Sequence, residues 1–102
     1  MAMGKLVRDR IPELIERDGR TPRTRVLDDD AYLCALLDKL VEEANELRNA
    51  EPGQRIEEMA DVVEVLHALQ HLLGLGEREV HAAADAKRVE RGGFAGRIWL
   101  ES

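Results

Sequence analysis

Two stretches of this chain carry apolar residues at alternating spacings of three and four, and that rhythm restricts the fold more than any other feature. Leu33, Leu37, Leu40, Ala44 and Leu47 form the first set; Ile56, Met59, Val63, Leu66 and Leu73 form the second. A helix gathers residues so spaced onto one face. Val62, Val65 and Leu69 widen the second face, which predicts burial on more than one side. Pro52-Gly53 breaks the chain between the sets, so the two helices are expected to fold back as a hairpin. Aromatic residues make up only 3% of a chain that is 44% hydrophobic. The core must then be built from Leu, Val, Ile and Ala, which suits helix-on-helix packing better than a sheet. The reading is all-α, one domain over residues 1–102. Two long helices with one over-wide apolar face predict a homodimer, in which two hairpins complete a four-helix bundle. A dimer of dimers is the larger alternative.

The flanks read as shorter elements. Arg10-Ile11-Pro12-Glu13 opens a first helix that Gly19 closes. Residues 20–27 read as a loop or short extended segment, and Asp28-Asp29-Asp30 supplies a cap and negative charge for the second helix, which runs to about Asn49. A more polar helix is predicted from Glu77 to about Arg91, ended by Gly92-Gly93. Phe94 to Leu100 alternates weakly and predicts an extended tail paired with Lys5-Leu6-Val7 or residues 24–27.

Charge is unevenly distributed around the net value of −6. From Lys39 to Glu64 there are eight acids against three bases, whereas residues 1–25 hold seven bases against four acids. Residues 87–97 hold four bases against one acid. An acidic centre between basic ends disfavours a nucleic-acid binder and fits a site that grips a phosphorylated small molecule through a metal and basic side chains. With one cysteine, Cys34, no intrachain disulfide is possible, and no apolar run reaches membrane-spanning length. A cytoplasmic location without a membrane partner is expected, with Cys34, between Leu33 and Ala35, as a packing residue.

The acids fall in two clusters, Glu42-Glu43-Ala44-Asn45-Glu46 and Glu57-Glu58-Met59-Ala60-Asp61. Glu43 with Glu46, and Glu58 with Asp61, are each three apart and so share a helix face. Both pairs flank the apolar stripes and meet beside the seam if the hairpin closes. Two carboxylates about 5–6 Å apart in a partly buried setting repel by about 3 kcal/mol at an effective dielectric near 20. A hard divalent cation reverses that repulsion, and magnesium in turn implies phosphate chemistry.

The Glu-Glu-x-x-Glu cluster followed by Glu-x-x-Asp resembles the metal-binding pattern of the MazG-like all-α nucleoside triphosphate pyrophosphohydrolases. That superfamily includes dimeric dUTPases, dCTP pyrophosphatases and phosphoribosyl-ATP pyrophosphohydrolase. Lys5-Leu6-Val7-Arg8-Asp9-Arg10-Ile11-Pro12, Arg91-Gly92-Gly93-Phe94 and Arg97-Ile98 resemble a small stand-alone house-cleaning branch of it, so the likeness spans nearly the whole chain. The resemblance implies that Glu43, Glu46, Glu58 and Asp61 hold magnesium, or manganese in its place. It also implies hydrolysis of a nucleoside triphosphate, canonical or noncanonical, to monophosphate and pyrophosphate. A clustered carboxylate, Glu42 or Glu46, is the expected proton acceptor.

Basic groups should steady the phosphates as charge moves to the leaving pyrophosphate. Lys5, Arg8, Arg10, Lys87, Arg88 and Arg91 are candidates, with Arg8, Lys87 and Arg91 preferred because Arg91 precedes a Gly-Gly turn. Phe94, beside that turn, is the choice for base stacking. His67 and His71 are four apart, but no further ligand completes a zinc set around them. Two rival functions share these features: phosphoribosyl-ATP pyrophosphohydrolase, and a non-catalytic dimer that binds nucleotide and metal.

Overall fold

The computed structural model describes residues 4–102, which form four α-helices and no β-strand. These are α1 (Ile11–Arg17), α2 (Asp29–Asn49), α3 (Arg55–Leu72) and α4 (Glu77–Arg91). Capping chemistry sets their ends. The Asp28 carboxylate accepts the Ala31 N–H at 2.9 Å, and Asp29 and Asp30 occupy the electropositive first turn of α2. α2 stops at Asn49, and a 3₁₀ turn, Pro52–Gln54, leads directly into α3. Gly92, at φ +82°, ends α4 in backbone geometry that a side chain would strain. No helix among the described residues is long and apolar enough to cross a membrane.

α2 and α3 form the hairpin, antiparallel because the connection is so short. Its core is Leu36, Val65 and Leu69, wrapped by Tyr32, Leu33, Leu40, Ala68 and Leu72. Leu6, from the N-terminal segment, packs against the same cluster. This reverses the expected roles of the two α3 faces. The residues that only widened the stripe, Val65 and Leu69, are buried, whereas Ile56, Met59, Val63 and Leu66 face outward. Leu37 and Val41 on α2 are exposed as well. Apolar residues are spread round much of α3 between its charged and polar ones, so spacing alone does not select which of its faces meets α2.

Two further expectations are corrected. Cys34 is exposed on α2 and is no part of the core. The segment after α4 pairs with nothing as a strand: Arg97 N–H reaches the Phe94 carbonyl at 3.0 Å, a turn that interrupts the alternation.

α4 does not pack along α2 or α3 and has no buried residue. Its first residue touches α3 through Glu77 Oε1, 3.2 Å from His67 Nε2. The molecule is accordingly extended, 53 × 34 × 25 Å, with a Cα radius of gyration of 17.5 Å. A compact chain of this length has about 13 Å. The accessible surface is 9417 Å² for 11.5 kDa, where a compact monomer of that mass exposes about 5,800 Å².

Candidate metal centre

The hairpin seam carries its acids in line with its core. Glu43 lies seven residues beyond Leu36 on α2, and Glu58 lies seven residues before Val65 on α3. Seven residues are close to two turns, so both acids occupy seam positions that an apolar side chain would otherwise fill. The sequence expectation placed them beside the seam; Glu43, only 5% exposed, lies inside it.

One carboxylate oxygen from each of Glu43, Glu46, Glu58 and Asp61 comes within 4.8 Å of all the others. Octahedral oxygens around magnesium lie about 3–4 Å apart, so small side-chain adjustments would close the set on an ion. Glu43 Oε2 and Glu58 Oε2 are buried and have no hydrogen-bond partner. An unpartnered buried carboxylate oxygen is costly unless a cation or a proton meets it. The oxygen-only donor set, its convergence and these two unsatisfied atoms all fit a hard divalent cation.

Electrostatics at Glu43 point the same way. Burial first, then the neighbouring Glu46 charge, push its carboxyl above the ordinary 4.5; Asp61 adds to the rise and Lys39 opposes it. Lys39 Nζ sits 3.5 Å from Glu43 Oε1 and 3.4 Å from Glu42 Oε2, one helical turn away from both. Sequence reasoning did not single out Lys39, although its i+3 and i+4 spacing to those acids was a readable signal.

Beside the acids a hollow of about 600 Å³ opens between α2 and the start of α3. Glu42, Glu46 and Glu58 line it together with Asn45, Asn49 and Gln54. The three carboxamides offer both donors and acceptors, and they too escaped the sequence reading.

The structure brings only some of the expected anion-binding groups to this place. Arg8 is there: its Nη2 donates to Asp61 Oδ1 at 2.7 Å, and its Nη1 lies 3.9 Å from Glu64 Oε1. Arg10 instead pairs with Glu13 at 2.8 Å across the start of α1. Lys87, Arg91 and Phe94 stand exposed on α4 and the segment after it. They follow the end of α3 opposite the acids, since Asp61 precedes Leu72 by eleven residues, roughly 16 Å of helix. No ion pair or hydrogen bond links them to the acids among the described residues.

An uncharacterized protein of Mycolicibacterium smegmatis is 61% identical to this chain over 49 residues. Those residues are 48% of this chain and 50% of that protein, so the match spans about half the length of the relative. No protein-family model matches the chain, and no solved structure does.

Proposed function

We propose that the chain is a magnesium-dependent nucleotide pyrophosphohydrolase of the MazG-like type, which cleaves a nucleoside triphosphate to monophosphate and pyrophosphate. The observation that carries this reading is the meeting of Glu43, Glu46, Glu58 and Asp61 in one seam with two carboxylate oxygens buried and unpartnered. Magnesium held there, or manganese, would offset phosphate charge and acidify a water for attack on phosphorus. Glu43, buried between the helices, and the half-buried Glu58, whose Oε2 is buried, would fix the inner side of the ligand set, and Glu46 and Asp61 would complete it. Glu42 stands outside those four but lines the same hollow. That makes Glu42 the better placed proton acceptor, and Glu46 the alternative. Asn45, Asn49 and Gln54 line the space in which a base or sugar would rest.

The same reading takes the active species to be a homodimer. A second copy laid on the exposed face of Leu37, Val41, Ile56, Met59, Val63 and Leu66 would complete a four-helix bundle and account for the excess surface. Lys87, Arg91 and Phe94, unused by their own hairpin, would then be free to serve a neighbouring one.

The test is pyrophosphate release from a panel of canonical and modified nucleoside triphosphates, in magnesium or in EDTA, with wild type and Glu43→Gln. Release that needs magnesium and falls at least about a hundredfold in the variant is the expected result, since a charged ligand buried in the seam is lost. Turnover of phosphoribosyl-ATP alone would reassign the substrate. Magnesium-dependent nucleotide binding with no release from any substrate would make the chain a binding module.

A further inference from the structure

Among the described residues, Arg8 alone of the groups around the acids comes from outside the hairpin. Its partner Asp61 is 53 residues away in sequence, and Asp61 is also one of the four converging carboxylates. Two anchors hold the Arg8 backbone in place. Leu6 is packed on the core of Leu36, Val65 and Leu69, and the Arg8 carbonyl accepts the Ile11 N–H at 3.0 Å where α1 begins. The side chain, by contrast, is 56% exposed, and the contacts that hold it are ionic, to Asp61 and more distantly to Glu64. A guanidinium keeps its charge at any physiological pH and carries five N–H donors, so it must always face an anion or water.

Resting on the metal-site reading above, we propose that Arg8 is a built-in counter-cation that exchanges partners: it holds Asp61 while the acids lack a metal, and turns to an anionic phosphate once a divalent cation occupies them. A doubly charged ion on Asp61 repels the guanidinium at close range and takes over the charge that held it. The freed fork then lies within a side chain's length of the metal, where a di- or triphosphate group would be bound, and its planar donors match phosphate oxygens in a bidentate contact. Lys39 does not share this role. It sits between Glu42 and Glu43 on its own helix with a side chain only 21% exposed, and stays with them.

The exchange predicts effects of opposite sign from one substitution. Arg8→Gln removes the competitor and tightens magnesium binding, measured alone by calorimetry, by about three- to tenfold. The same change weakens binding of inorganic pyrophosphate in saturating magnesium by about tenfold or more. Arg8→Lys, which keeps the charge but loses the fork, should stay near wild type for magnesium alone and still bind pyrophosphate weakly. Thermal melts in EDTA and in magnesium serve as a second readout: the gain on adding magnesium should be larger for Arg8→Gln than for wild type. Magnesium binding that weakens or does not change in Arg8→Gln would overturn the proposal and leave the metal site standing. Absence of magnesium binding by the wild type would instead overturn the metal-site reading, and this inference with it.

Discussion

Glu43 is the residue at which folding and chemistry pull apart. Its place in the seam calls for an apolar side chain, and its carboxyl answers by holding its proton above the ordinary 4.5. In the metal-free protein the native state therefore binds more protons than the unfolded chain between 4.5 and that raised value. Over this window the Glu43 contribution to stability falls as pH rises, and above it the loss is complete. Urea unfolding in EDTA should show the decline in wild type, and Glu43→Gln should remove it and be the more stable protein at neutral pH. Parallel pH profiles for the two would show that Glu43 is ionised at no extra cost. Magnesium should reverse the order of stability, because only the wild-type carboxylate serves as a charged ligand.

At the scale of elements, the hairpin depends on very few side chains. Leu36 is 3% exposed and central to the α2–α3 contact, so Leu36→Ala should cost about 2–5 kcal/mol, read as a lower urea midpoint with little change in slope. A loss below 1 kcal/mol would mean that the core lies elsewhere. Local signals made the helix limits legible in the sequence: Asp28 as cap, the halt at Asn49, the Pro52-Gly53 break, and Gly92 after α4. The four converging acids were legible for the same reason, since a three-residue spacing fixes their faces once the hairpin closes. Other features depend on pairings that local spacing does not encode. The buried side of α3 is chosen by α2, which selects Val65 and Leu69 over the more regular Met59, Val63 and Leu66. The Arg8–Asp61 bond spans 53 residues, and nothing near Arg8 announces it. The basic side chains of α4 looked available for phosphate by charge alone, but α4 leaves the hairpin at the end away from the acids.

For the molecule as a whole, the extended shape is what the proposed dimer would explain. A radius of gyration of 17.5 Å and a wide apolar face on α2 and α3 are poor terms for a 102-residue chain alone in water. Sedimentation equilibrium at micromolar concentration should give twice the 11.5 kDa chain mass, or four times it for a dimer of dimers. Met59→Asp, on the outward face, should shift the mass toward a single chain while leaving helix content by circular dichroism nearly intact. A wild-type mass of one chain at tens of micromolar would sink the dimer reading.

The seven-residue step from Leu36 to Glu43, and from Glu58 to Val65, also says how near this hairpin stands to one with a wholly apolar seam. With Leu and Val at the two acidic places the zipper would run unbroken to the turn at Pro52, drier and sturdier than it is now. If the acids hold a cation as proposed, the cost of burying carboxylate at that end of the hairpin and the capacity to bind the ion are a single property, and a sequence that cured one would abolish the other.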